Sequence, residues 1–153
     1  SLQVSHIPLD VDVLLINCGL WDIRRISRQT PCLVPVDEYE TNLSEILTLG
    51  RRVVGSAGVL VWVAMTSVDE AIHNKKSKAF KRYSADVVMY NSIAKRVCAE
   101  QSVPVLELDT FTTSLPHGRP LFRDHVHFLP WVSNAQAAFL ANELRSIFHK
   151  NPR

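Results

Sequence analysis

The residues with the clearest chemical potential lie in the segment "RDHVHF", at positions 123–128. Asp124 and His127 stand three positions apart, and on a turn that leads into a helix this spacing places both side chains on one face. The carboxylate could then accept the imidazole Nδ1–H, which leaves Nε2 free to take a proton from a nucleophile. An exposed histidine in a polar loop ahead of a helix has the same spacing. The pattern therefore predicts either a general base with its orienting acid or an ordinary loop.

Neighbouring residues offer other chemistry. His125 is a rival for the role of base. Asp124, His125 and His127 could together hold a metal, but no further cluster of ligands supports such a site, so we expect no metal and no cofactor. Cys18 could act as a surrogate nucleophile, although single buried cysteines usually only fill space. The basic run "NKKSKAFKRY", residues 74–83, is interpreted as a solvated loop, with anion binding as the alternative.

The elements that must position these residues follow from hydrophobic patterning. Three aliphatic and β-branched runs predict strands, the first two buried on both faces, and three segments with apolar residues three and four apart predict amphipathic helices. The strands are expected at 11–17, 59–65 and 103–108, and the helices at 37–53, 83–101 and 132–148. The polar, lysine-rich residues 66–81 predict a loop. Alternating strands and helices indicate a three-layer α/β sandwich with a parallel sheet and right-handed connections.

Three polar segments are expected to meet at one edge of this sheet. "NCGLWD" and "AMTSV" each follow a predicted strand, and "RDHVHF" lies in the loop after the third one. In open α/β sheets, ligands bind at the carboxyl ends of the strands. The sequence therefore places its candidate chemistry where this fold class usually has a site.

The amino-acid composition excludes several classes of function. The chain has 153 residues, of which 46% are hydrophobic, and this suffices for one domain over residues 1–153. The net charge of +2 is too small to indicate a nucleic-acid partner. The longest apolar run, residues 59–65, is far too short to span a bilayer. The three cysteines are sparse and do not predict a disulfide scaffold.

The order of these segments resembles the later part of the SGNH (GDSL-type) hydrolase superfamily, whose members are esterases and acetylhydrolases of small α/β fold. The resemblance is carried by "DVLLINCGLWDIRR", "YETNLSEIL", "VLVWVAMTSV", "YNSIAKRV", "VPVLELD" and "DHVHF". It is nearest to branches with Asn-x-Gly-Leu-His-Asp after the central strand, and to the PC-esterase-like branch with its Trp-Asp pair. It implies a flavodoxin-like sandwich that hydrolyses a small acyl ester without a cofactor.

The resemblance also implies roles for single residues. It assigns the base and the orienting acid of a Ser-His-Asp triad to His127 and Asp124. Asn17 is the amide nearest the family's oxyanion-hole donor, and the alternative is that it ends a strand and bonds local backbone. Gly19 and Trp21 are pocket candidates, because "GLWD" stands where the family commonly has Gly-x-Asn-Asp.

The family's nucleophilic serine has no counterpart in the sequence. That serine belongs to a Gly-Asp-Ser motif after the first strand, whereas this chain begins just before what would be the third strand. Gly55-Ser56 precedes a predicted strand and so lies at the wrong edge. We therefore expect the N-terminal strands and the serine outside this chain, on an upstream segment or a second chain, and an exposed apolar surface beside the first predicted strand.

Three readings remain open from the sequence. The chain is a portion of an ester hydrolase, a catalytically inactive SGNH-like binding or assembly module, or a flavodoxin-like ligand-binding domain unrelated to esterases.

Overall fold

A parallel sheet of three strands forms the centre of the fold. The computed structural model describes residues 11–116 and 118–150. In chain order the elements are β1 (Val13–Ile16), α1 (Val36–Val54), β2 (Val59–Val63), α2 (Glu70–Lys76), α3 (Ser84–Glu100), β3 (Val105–Leu106), α4 (Leu108–Thr113) and α5 (Pro130–Lys150). The strand order is β1-β2-β3, with Leu14 beside Leu60 and Trp62 beside Val105.

The two faces of the sheet are covered by different helices. On one face, Leu60 and Trp62 are fully buried and belong to the cluster that includes Leu43 of α1 and Val87 of α3. The opposite face packs against α5. Its cluster joins Val61, Val63 and Leu106 of the sheet to Phe139, Leu140, Leu144 and Ile147. The helix-sheet-helix arrangement confirms the predicted three-layer α/β sandwich with a parallel sheet.

Helix α1 shows why this amphipathic pattern folds against the sheet. Its buried residues include Tyr39, Leu43 and Leu47, which repeat every four positions and so form one stripe. Asp37 and Glu38 occupy its first turn and two arginines its last, which suits the helix dipole. At Gly50 the helix approaches β2 closely, because a Cβ there would lie 2.9 Å from Cδ1 of Leu60.

The polar segments contain more helix than predicted. Residues 66–81 were expected to form a loop, but they include α2, whose N-cap Asp69 accepts the Ile72 N–H at 2.9 Å. The expected third strand, 103–108, is limited to two residues, because α4 begins at Leu108. The last helix begins at Pro130 instead of 132, and proline suits the first helical turn because its missing N–H would have no partner there. α2 is polar and α4 short, so neither produces the apolar periodicity that identified the longer helices.

The outer strand β1 is only partly covered. Leu15 pairs in register with Val61, yet its side chain is 42% exposed, whereas Val61 is fully buried. Among the described residues no strand pairs with the second edge of β1. Of the apolar surface expected beside the first strand, the described part of β1 shows one exposed large side chain, that of Leu15. No helix in the described part of the chain is long and apolar enough to cross a membrane.

Candidate active site

The carboxylate of Asp124 organises the turn that carries the candidate base. Its Oδ1 accepts three consecutive backbone N–H groups, from His125 at 2.5 Å, Val126 at 2.7 Å and His127 at 2.9 Å. Its Oδ2 lies 2.8 Å from Nδ1 of the His127 ring. Arg123 closes the turn by donating its N–H to the His127 carbonyl at 2.8 Å. The predicted Asp124–His127 contact is therefore present, and the turn fixes both oxygens of the acid.

These hydrogen bonds also fix the charge of the acid. The backbone N–H of His127, followed by that of Val126, holds the pKa of Asp124 well below its ordinary value. A carboxylate that accepts several N–H groups stays ionised because each bond stabilises the charged form. An ionised Asp124 can only accept a hydrogen bond, so Nδ1 of His127 carries the ring proton, and this leaves Nε2 as the basic nitrogen when the ring is neutral. Nε2 hydrogen-bonds to no residue in the described ranges, and the His127 side chain is 68% exposed.

The rival histidine, His125, contacts a buried histidine of α2. Nδ1 of His125 lies 3.0 Å from Nδ1 of His73 in α2, and the His125 carbonyl accepts the Asp69 N–H at 3.1 Å. His73 is 1% exposed. Burial, and then the charge of Arg82, lower the pKa of His73 to about 4, so its ring is neutral at pH 7. His125 therefore docks the turn onto α2, whereas the His127 side chain stays largely exposed.

A pocket of about 470 Å³ joins these residues to the end of β1. We call it the Trp21 pocket. Its lining includes Trp21 after β1, His73 and Lys76 of α2, Arg82 just ahead of α3, and His127. The end of one strand and the loop after another thus meet at one edge, as expected for a parallel sheet.

The remaining predicted residues have different positions. The Asn17 amide donates from Nδ2 to the Val63 carbonyl at 2.9 Å and to the Ala64 carbonyl at 3.4 Å, and Asn17 does not line the Trp21 pocket. Gly19 is buried with φ +119°, and a Cβ there would lie 3.3 Å from the sulfur of Met65, so a side chain would be strained and crowded. Trp21 is 58% exposed, with Arg24 stacked over its ring at 4.6 Å.

The alternative nucleophiles lie away from the Trp21 pocket. Cys18 lines a second pocket of about 430 Å³, together with Asp22 and Tyr39. Burial, and then the charge of Asp22, raise the pKa of the Cys18 thiol, which disfavours the reactive thiolate. Ser56 lines a pocket with Gly58 and Val59 at the start of β2, the opposite end of the strand. In the described part of the chain no cluster of three or more metal-ligating side chains could hold an ion.

Sequence reasoning missed the inner wall of the Trp21 pocket. Arg82 and Phe80 were assigned to a solvated loop, and His73 had no assigned role. Arg82 is 4% exposed, and its Cζ lies 4.8 Å from the Phe80 ring centroid and 5.4 Å from that of Trp21. These pairings join residues up to about sixty positions apart, so local spacing gives no signal for them. The "NKKSKAFKRY" run offered one clue in Phe80, an aromatic residue between charged ones.

Comparison with known proteins shows the fold. No protein-family model and no curated protein matches the chain. The solved structure of a lipase/acylhydrolase from Enterococcus faecalis superposes with a TM-score of 0.64 over 90% of this chain and 62% of that one, at 18% identity. A second solved structure gives a TM-score of 0.65 over 90% of this chain and 66% of its own, at 21% identity. The chain thus spans less than two thirds of either structure, and over most of its own length it has a fold similar to that of the lipase/acylhydrolase.

Proposed function

We propose that this chain supplies the general base and the orienting acid of an ester hydrolase. His127 is the base and Asp124 is the acid. The observation that carries the proposal is the 2.8 Å contact between Oδ2 of Asp124 and Nδ1 of His127, on a turn whose backbone fixes the other carboxylate oxygen. The α/β fold shared with a lipase/acylhydrolase supports the same reaction class.

The reaction requires a serine hydroxyl that this sequence does not supply at the corresponding position. In the proposal that serine comes from an upstream segment or from a second chain. Nε2 of His127 takes the hydroxyl proton while the serine oxygen attacks the acyl carbon, and the proton then passes to the departing alkoxide. Water hydrolyses the resulting acyl-enzyme by the same base. The net change is ester plus water to acid plus alcohol.

Asn17 is proposed as a donor to the developing oxyanion. Its Nδ2 carries two hydrogens, and the 3.4 Å contact to the Ala64 carbonyl is the weaker of its two bonds. In the proposal a developing oxyanion competes with the Ala64 carbonyl for the amide. A donor of this kind typically contributes about 3 kcal/mol to transition-state stabilisation.

A catalytically inactive binding or assembly module is the second candidate. Two observations favour it. Nε2 of His127 hydrogen-bonds to no hydroxyl or thiol within the described ranges, and the Asn17 amide nitrogen already donates to two backbone carbonyls. In this reading Asp124 serves only to shape the turn.

Hydrolysis of p-nitrophenyl acetate separates the two candidates. The 153-residue chain alone should show little turnover, because a base without a nucleophile loses the covalent route. Adding the upstream segment, in cis or as a second chain, should restore turnover. His127→Ala should then abolish it, and His125→Ala tests the rival base.

Three results would contradict the proposal. Activity of the completed protein that is indifferent to His127→Ala would remove His127 from the mechanism, whereas a completed protein without any activity would leave the binding module. Robust activity of the 153-residue chain alone, lost on Cys18→Ala, would make Cys18 the nucleophile.

A further inference from the structure

Arg82 is a buried cation without an acidic partner in the described part of the chain. The residue is 4% exposed, and its Nε donates to the Leu20 carbonyl at 2.7 Å. None of the ion pairs among residues 11–116 and 118–150 includes it, and its two terminal nitrogens bond to no residue there. The rings of Trp21 and Phe80 lie close to the guanidinium, but neither ring carries a compensating negative charge.

Arg25 provides a comparison within the same region. Its side chain is also largely buried, but it is paired with the carboxylate of Asp86. Cys32 and Asp86 raise the pKa of Arg25 against the opposing effect of burial, whereas burial, and then the charge of Arg24, lower the pKa of Arg82. A buried charge is normally neutralised by a partner, because its desolvation is costly. Arg82 lacks that partner, although the fold supplies one to Arg25.

The cavity in front of Arg82 suits an anion. Lys76 and Arg82 both line the Trp21 pocket, and no aspartate or glutamate does. His73 lines it as well, and its buried Nε2 has no hydrogen-bond partner. Phe80 and Trp21 form apolar walls. The carboxylate of Asp124, next to His125 in the chain, is already engaged by three backbone N–H groups and His127.

We propose that the Trp21 pocket binds an oxyanion group, a carboxylate or a phosphate, through Arg82 and Lys76. The planar guanidinium of Arg82 has two free nitrogens that can grip two oxygens of such a group, and Lys76 adds a mobile charge at the mouth. The apolar walls accept the carbon skeleton that carries the anion.

The position of the pocket extends the inference to the substrate. His127 lines the same pocket, so one small molecule could contact both Arg82 and the proposed base. If the proposed function holds, the ester has an anionic group on its acid or alcohol part. This last step rests on the proposed function, whereas anion binding does not.

Binding is tested with phenyl phosphate and benzoate against their neutral counterparts phenol and benzamide. A Trp131→Phe background leaves Trp21 as the accessible indole, because Trp62 is fully buried. Both anions should change the Trp21 fluorescence in a saturable way, and the neutral compounds should not. The better of the two anions identifies the group as phosphate or carboxylate.

Matched variants locate the site. Lys76→Gln, at an exposed position, should weaken binding several-fold, and Arg82→Lys should weaken it by about tenfold through loss of the two-point grip. Arg119→Gln is the control, since Arg119 stacks on Trp131, which does not line the Trp21 pocket. Absence of anion binding, equal binding of the neutral compounds, or affinity indifferent to both Lys76→Gln and Arg82→Lys would overturn the proposal.

A second assay separates this inference from the proposed function. The completed enzyme is compared on 4-acetoxybenzoate and phenyl acetate, acetate esters that differ by one carboxylate. The inference predicts a lower KM for the anionic ester, lost in Lys76→Gln. Anion binding without any hydrolysis would support the anion-binding inference and contradict the proposed esterase function. Hydrolysis that depends on His127, without anion binding, would support the proposed esterase function and contradict the anion-binding inference.

Discussion

The two oxygens of Asp124 have different partners, and this asymmetry determines what a substitution does. Oδ1 accepts three backbone N–H groups, so it must remain an acceptor, whereas Oδ2 faces the His127 ring. In Asp124→Asn the amide oxygen is therefore held at the Oδ1 position and the NH₂ group faces Nδ1. The ring should then carry its proton on Nε2, the wrong nitrogen for a base.

Nitrogen-15 NMR of the imidazole measures this tautomer directly. The unmodified protein should show the Nδ1–H form at pH 8, and Asp124→Asn the Nε2–H form. Turnover of the completed enzyme should fall by roughly a hundredfold or more. An unchanged tautomer in the variant would mean that the Asp124–His127 contact does not orient the ring.

The buried side chain of His73 should make the folded protein less stable at acid pH. Its pKa is about 4 in the folded protein, below the ordinary value of 6.5. The unfolded chain therefore takes up the proton first as the pH falls, and folding stability should decrease between pH 6.5 and pH 4 and level off below that. The loss at this site is on the order of 3 kcal/mol. Nδ1 of His125 opposes Nδ1 of His73, so only one of these two nitrogens can hold a proton.

Urea unfolding at pH 7 and pH 4.5 checks this expectation. His73→Gln should lose clearly less stability between the two pH values than the unmodified protein does, even if its stability at pH 7 is lower. An equal loss in both proteins would assign the acid sensitivity to other groups.

At the scale of elements, a single amide joins α3 to the end of β2. Asn91 is 7% exposed, accepts the Met65 N–H at 2.9 Å and donates to the Met65 carbonyl at 2.8 Å. Asn91→Leu leaves both groups of Met65 buried without partners. We expect a loss of roughly 3 kcal/mol in the free energy of unfolding, measured with urea. Ser92→Ala, an exposed neighbour in the same helix, should change it by less than about 0.5 kcal/mol, and equal effects of the two variants would contradict this role.

Elements differed in how well the sequence specified them. β1, β2, α1 and α3 were predictable because their apolar residues repeat with the period of a strand or a helix. α2 was not, since its buried residue is His73, and a histidine among lysines gives no apolar stripe. The residues of the candidate site also differ in how well the sequence predicted them. The Asp124–His127 pair is local and was visible as a spacing, whereas Arg82 meets Trp21 through contacts that only the fold creates.

At the scale of the whole molecule, the sheet is covered unequally. β2 is buried on both faces, with Val61 and Trp62 fully enclosed, whereas Leu15 of β1 remains 42% exposed on the face that α5 covers elsewhere. An apolar strand with an exposed leucine and an edge that no described strand occupies is a ready surface for further pairing.

The isolated 153-residue chain should therefore associate through β1. Analytical ultracentrifugation at increasing concentration should show dimers or larger species, and Leu15→Thr should shift the distribution towards monomer, because it removes apolar surface while keeping a residue suited to a strand. Val88→Thr is the matched control, since Val88 is 61% exposed on α3, away from the sheet. It should leave the distribution unchanged.

The upstream segment, when present, should suppress association as Leu15→Thr does, because it would occupy the same surface. A stable monomer at all concentrations, or equal effects of Leu15→Thr and Val88→Thr, would show that β1 does not serve as a pairing surface.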